Sequence, residues 1–246
     1  MKQMFCVGNW KMNPSTARDA FRLAEAIAEK TKVYTRVTTV LCPPFPFLAH
    51  LSSLSVTLGA QDCHTEQKGA FTGEVSPAML KDQGCRYVVL GHSERGETDQ
   101  MVKEKVRAAV RVGLVPIICV GEEKPGTPDV LQERLRLRLE GIPAQTLSKS
   151  IIVYEPVWAI STTKEGRGAS EKDVSSALLL FHSFLEEEVG QRLGSAIPIL
   201  YGGSVNEKNI LSFLRAGAQG ALVGGASLSP KEFGSIASSM QLYEHI

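Results

Sequence analysis

The sequence carries almost no net charge. Across 246 residues, 27 Lys and Arg stand against 26 Asp and Glu, a formal balance of +1. Such a chain offers no basic field to nucleic-acid phosphates and no acidic field to cationic partners, so no nucleic acid is expected to bind. Long apolar runs are missing too. None approaches the roughly 20 residues that cross a bilayer, and no membrane association is expected. The N-terminus lacks the charged, apolar and small-residue zones of a secretory signal, so the expected location is cytoplasmic. Cysteine is sparse: Cys6, Cys42, Cys63, Cys85 and Cys119 are odd in number, far apart, and form no C-x-x-C pair. They read as buried, reduced thiols and not as a disulfide frame or a zinc site. The GxGxxG and GxxxxGK[ST] fingerprints of nucleotide binders are absent, as is any low-complexity or linker-like stretch.

What is present is a regular alternation. Apolar, β-branched runs of strand length occur at Met4–Gly8, Val37–Leu41, Val56–Gln61, Arg86–Leu90, Val115–Val120, Ile151–Tyr154, Ile197–Leu200 and Ala221–Val223. Helical spacing of apolar residues separates them, as in Ala17, Ala20, Phe21, Ala24 and Ile27, or Val174, Ala177, Leu178, Phe181 and Leu185. Asn13–Pro14 reads as the cap and first turn of the first helix, and Asn206 as the cap of the helix carrying Ile210, Phe213 and Leu214. The basic run Arg134–Arg138 and the acidic run Glu186–Glu188 read as solvated helix faces. Eight strand–helix units in this length predict one α/β domain over residues 1–246, a closed (β/α)8 barrel with eight parallel strands inside eight helices. An open, doubly wound sheet is the other arrangement compatible with the alternation, but it would need polar edge strands, and none of the eight is polar.

The reactive side chains follow strands. Lys11 comes after the first, His92 after the fourth and Glu155 after the sixth; the turns Gly202–Gly203–Ser204 and Gly224–Gly225 come after the seventh and eighth. In a closed barrel these points converge on the C-terminal face, where active sites of this architecture lie. A carboxylate can take a proton, an imidazole can polarise or shuttle, and an ammonium can stabilise developing negative charge. Glycine turns let backbone N–H groups close on an anion. Taken singly, each has a bland reading: a surface glutamate, a structural histidine (as assigned to His50, His64, His182 and His245), a solvated lysine, two tight turns.

Six segments in order carry a resemblance. They are Gly8–Asn9–Trp10–Lys11, Gly69–Ala70–Phe71–Thr72–Gly73–Glu74, Gly91–His92–Ser93–Glu94–Arg95, Tyr154–Glu155–Pro156–Val157–Trp158–Ala159, Tyr201–Gly202–Gly203–Ser204–Val205 and Val223–Gly224–Gly225–Ala226–Ser227–Leu228. Through them the sequence resembles the triosephosphate isomerases over essentially its whole length. The resemblance implies an isomerase of glycolysis and gluconeogenesis that interconverts dihydroxyacetone phosphate and D-glyceraldehyde 3-phosphate without cofactor or metal. Glu155 would be the base, His92 the electrophile, kept neutral by a helix N-terminus, and Lys11 the positive charge. Glu94 would support Lys11 and His92, and Asn9 would position the substrate. Ser204, Gly224, Gly225 and the Ser161 amide would hold its phosphate. Pro156, Val157, Trp158 and Lys164 would be hinges of a lid from Ile160 to Ala169, with Glu122 holding Trp158. The resemblance also implies a homodimer joined through the 62–74 loop.

Three places depart from the family pattern. Arg95–Gly96–Glu97 lacks a second arginine and several residues of the loop that would receive a partner's third loop, and Asp62 stands where asparagine is usual. The lid tip is Ser161–Thr162–Thr163 in place of a glycine-containing tip, and the hinge Lys164–Ala169 is longer and richer in glycine. These departures predict slower lid closure with unchanged chemistry. The fold alone would also allow a different sugar phosphate, against which the complete Lys11–His92–Glu155 set argues. The altered lid and fourth loop leave room for a barrel that binds phosphate and serves as a scaffold with turnover weakened or lost.

Overall fold

The computed structural model describes residues 3–160 and 168–243. Its strands are β1 (Met4–Asn9), β2 (Val37–Cys42), β3 (Thr57–Ala60), β4 (Cys85–Leu90), β5 (Val115–Val120), β6 (Ile151–Tyr154), β7 (Ile199–Tyr201) and β8 (Gly220–Val223). They pair in parallel in chain order and close into a barrel, with Phe5 opposite Gly220 and Gly8 opposite Val223 at the seam. The seam needs glycine: at Gly220, where φ is +139°, a Cβ would lie 2.0 Å from the Phe5 carbonyl oxygen.

Strand alternation sorts the side chains into two layers. Val7, Val40, Cys42, Tyr87, Val89, Ile117, Cys119, Val153, Leu200 and Leu222 form one buried cluster. Their neighbours Cys6, Leu41, Val88, Ile118, Tyr154 and Tyr201 belong to the larger layer shared with the helices. Because Val153 faces the first layer and Tyr154 the second, the next residue, Glu155, points back to the barrel mouth. The same count carries Val7 to Asn9.

Ten α-helices occur among the described residues, two more than predicted. They are α1 (Ala17–Thr31), α2 (Leu48–Leu51), α3 (Pro77–Asp82), α4 (Asp99–Arg111), α5 (Pro128–Leu139), α6 (Ala144–Leu147), α7 (Glu171–Val189), α8 (Gln191–Gly194), α9 (Ile210–Arg215) and α10 (Pro230–Leu242). The additions, α6 and α8, are single turns that lead into β6 and β7. Ser76 caps α3 with Pro77 in its first turn, and Ser170 and Asp173 form a reciprocal capping box on α7.

Two predicted helix starts move. The Asn13–Pro14 bond is cis, and α1 begins at Ala17, where the Thr16 hydroxyl accepts the Asp19 N–H at 3.1 Å. Asn206 caps a turn: its side-chain oxygen accepts the Lys208 and Asn209 N–H groups, and α9 starts only at Ile210. Strand ends shift by one or two residues, most at β7, because the neighbouring strands decide where pairing stops. All five cysteines are free and buried. No helix among the described residues is long and apolar enough to cross a membrane.

Candidate active site

Lys11 follows β1 in a conformation rare for a residue with a side chain, at φ 52°. Two hydrogen bonds hold it there. Its N–H donates to Asn9 Oδ1 at 3.0 Å, and Gln61 Nε2 donates to its carbonyl at 2.8 Å. Gln61 Nε2 also reaches the Cys42 carbonyl at 2.8 Å, tying the ends of β1 and β2 together. The Lys11 ammonium donates to Glu94 Oε1 at 2.5 Å.

His92 caps a one-turn 3-10 helix, Ser93–Arg95, and its Nδ1 accepts the Glu94 N–H at 3.2 Å. An accepting Nδ1 leaves the proton of a neutral ring on Nε2. Burial pushes the imidazole down to about 4 and the Lys11 ammonium adds to this, while Glu94 pulls the other way. Burial, and not the helix N-terminus that the resemblance implies, is thus the main push toward a neutral ring, while the helical turn orients Nδ1.

Glu155 is 2% exposed. Its carboxylate accepts from the Ser93 N–H at 3.1 Å and the Ser93 hydroxyl at 3.0 Å, and lies 3.2 Å from His92 Nε2. Burial lifts its pKa to about 7, against the Ser93 donors and the charges of Lys11 and Arg138, which lower it. Its backbone is fixed by its own N–H, which donates to the Val120 carbonyl at 2.8 Å, and by Gly121, where a Cβ would sit 1.7 Å from the Glu155 carbonyl oxygen.

Beside these groups lies a cavity of about 270 Å³ lined by Asn9, Lys11, His92, Ser204, Gly224 and Gly225, among others. Glu155 does not line it; its carboxylate is turned to Ser93. A Cβ on Gly203 would strike the Tyr201 hydroxyl at 2.2 Å, so this turn can hold its backbone close only as glycine. The Ser204 hydroxyl donates to the Ala159 carbonyl at 3.0 Å, linking the cavity floor to the segment after β6. There Pro156 precedes the turn Val157–Ala159, the Val157 N–H donates to the Glu122 carbonyl at 3.0 Å, and Trp158 Nε1 donates to Glu122 Oε1 at 2.9 Å. The predicted Glu122–Trp158 contact is thus present, joined by the Tyr154 hydroxyl at 2.8 Å. Ser161, Lys164 and the lid tip lie outside the described residues.

The 62–74 loop is tied to its own chain. Buried Lys105 on α4 donates to both Asp62 oxygens at 2.7 Å and to Glu97, and Arg95 reaches Asp62 at 2.8 Å. The carboxylates hold Lys105 charged, above the ordinary lysine range, although burial opposes them.

Four contributors escape sequence reasoning. Ser93 sits inside the Gly91–Arg95 motif, between His92 and Glu94, with no sequence feature of its own to mark it; Gln61 and Gly121 merely end strands, and Arg138 reads as part of a solvated face. Arg138 is instead 6% exposed, and Arg134 donates to the Gly121 carbonyl at 2.8 Å. The helix period held the signal: position 138 lies seven residues from Leu131 and three from Leu135, on the buried side of α5.

An amine, a neutral imidazole and a buried carboxylate, gathered beside a glycine-walled cavity at a barrel mouth, define an acid–base enzyme of the (β/α)8 class with a place for a small anion. The family model described as triosephosphate isomerase matches residues 4–240. A triosephosphate isomerase of Dehalococcoides mccartyi is 43% identical over 250 residues, 96% of each chain. One from Dictyoglomus thermophilum is 41% identical over 97% of this chain and all of its own, and one from Carboxydothermus hydrogenoformans 40% identical over 96% and 98%. The chain belongs to the triosephosphate isomerase family.

Proposed function

We propose that this enzyme interconverts dihydroxyacetone phosphate and D-glyceraldehyde 3-phosphate by proton transfer through an enediolate. The observation that carries the reading is the meeting of three groups at the barrel mouth: Lys11 and His92 line the cavity, Glu155 lies behind them at 3.2 Å from His92 Nε2, and the accepting Nδ1 leaves the imidazole proton on Nε2. Ionised Glu155 leaves Ser93 and removes the proton from C1 of the ketose. His92 Nε2–H donates to the C2 oxygen as negative charge develops there, and Lys11 stabilises that charge. The ring then recovers a proton from the C1 hydroxyl, and Glu155 returns its proton to C2, so no proton is gained or lost. Glu94 holds the Lys11 ammonium, and Asn9 fixes the backbone before it. Ser204, Gly224 and Gly225 hold the phosphate, as helix- and turn-terminal amides do for anions. Triosephosphate isomerases pair a glutamate base with a neutral histidine electrophile in this way.

The same reading makes the chain one domain and places the enzyme in the cytoplasm, where five unpaired thiols stay reduced. It also makes the chain a homodimer through the 62–74 loop. Phe71, on that loop and stacked against His64, is half exposed, and Met12, one residue beyond Lys11, is 92% exposed. Light scattering of the purified protein tests the dimer.

A coupled assay in both directions tests the reaction. Wild-type protein turns over, and Glu155→Asp, which withdraws the carboxylate by about one methylene, loses about 100-fold or more in kcat. Wild-type protein without turnover would overturn the proposal.

A further inference from the structure

We infer that Arg138 is a positioning residue for this reaction: from α5 it clamps the mouth ends of β4 and β5, and with them the segments that present His92 and Glu155. The inference rests on the isomerase reading of the same site.

The guanidinium is shared among three elements. Nη1 donates to the Gly91 carbonyl at 3.1 Å and to the Cys119 carbonyl, while Nε donates to Asp99 Oδ1 at 2.5 Å at the first residue of α4. Gly91 is the residue before His92. Cys119 is the residue before Val120, whose carbonyl receives the Glu155 N–H, and the Cys119 thiol lies against the Glu155 carboxylate. Each clamped carbonyl is therefore one bond system away from the placement of a reacting group.

The site is built to admit the cation. A Cβ on Gly91 would stand 2.7 Å from Nη1, so glycine leaves the space the guanidinium fills, and its φ of +73° suits that residue. Taking a guanidinium out of water is costly unless its donors are matched, and here the fork is spread over two carbonyls and a carboxylate. A solvated helix face would show none of this; Arg136, two residues earlier, is exposed and pairs only along its own helix. The charged groups that face Glu155 are His92 after β4, Lys11 after β1 and Arg138 from α5, with the Cys119 thiol from β5 beside it.

Steady-state kinetics of Arg138→Met and Arg138→Lys, run beside wild type well below each variant's melting temperature, test the clamp. An inactive wild type would overturn the isomerase reading and this inference with it; with an active wild type, the variants bear on the clamp alone. In Arg138→Met, kcat falls about 10- to 100-fold with KM within about threefold, because the reacting groups and not the phosphate cradle lose their register. The acid limb of kcat/KM moves to higher pH as a cation facing Glu155 is lost. Arg138→Lys keeps that limb in place but recovers only part of kcat, since an ammonium at the two carbonyls cannot also hold Asp99 as Nε does. A folded Arg138→Met with wild-type kcat and limb overturns the inference, as does a kcat loss no larger than the loss of folded protein. Should Arg138→Met not fold, Arg138→Lys decides alone: wild-type kcat there overturns the clamp, and a reduced kcat at constant KM supports it.

Discussion

Replacing Ser93 by alanine removes one of the donors that face the Glu155 carboxylate, leaving the Ser93 N–H, His92 Nε2 and the Cys119 thiol. A hydrogen bond to a charged group contributes roughly 1.5–3 kcal/mol, and one pKa unit corresponds to about 1.4 kcal/mol. The lost hydroxyl therefore raises the Glu155 pKa by about one unit or somewhat more, from about 7 to about 8. The sign follows from which form the donor stabilises: the hydroxyl favours the ionised base, so without it the base is available only at higher pH. At pH 7 the ionised fraction drops from about one half to about one eleventh, a roughly fivefold loss in kcat/KM that disappears by about pH 9. The substrate phosphate titrates near pH 6 in both proteins, so the difference between the two profiles isolates Glu155. Superimposed profiles, or a loss equal at all pH values, would refute the reasoning. Folding carries the same linkage. A proton held more tightly in the folded state stabilises fully below the ordinary value of 4.5, and that stabilisation is lost as pH rises through about 7.

Gly121→Ala forces a methyl group onto the Glu155 carbonyl, 1.7 Å away on the present backbone. It lowers kcat by about 100-fold or more by displacing the base, and a variant with wild-type kcat would show that the backbone yields without moving Glu155. Lys105→Met leaves Asp62 and Glu97 without the cation between them. Breaking such a buried pair costs about 3–5 kcal/mol, which lowers the calorimetric midpoint by roughly 10 °C for a chain of this size; an unchanged midpoint would mean that Arg95 and water replace the ammonium.

The barrel was legible because its strands are nearly continuous apolar runs, as a sheet covered on both faces requires. The reactive trio was legible because each member stands just after such a run. What escaped depends on partners far along the chain. β7 begins at Ile199, where β6 starts to pair with it, and not at Ile197, where its apolar run starts. Asn13 looked like a cap, but Thr16 reaches the free Asp19 N–H instead. The helix period alone sets Arg138 apart from the solvated Arg136; which carbonyls the buried guanidinium meets is decided only in the folded barrel. The positive φ of Lys11 is equally invisible, since the glutamine that holds its carbonyl is fifty residues away.

The seam between β1 and β8 puts the two ends of the polypeptide into one site. Lys11 Cε lies 3.6 Å from where a Cβ on Gly224 would be, so the amine and the glycine wall for the anion come from opposite termini. A chain growing from the ribosome carries Lys11, His92 and Glu155 before the final strand exists. Until that strand docks beside the first, nothing encloses a triose phosphate, and half-made protein has no pocket in which to start a reaction it could not finish.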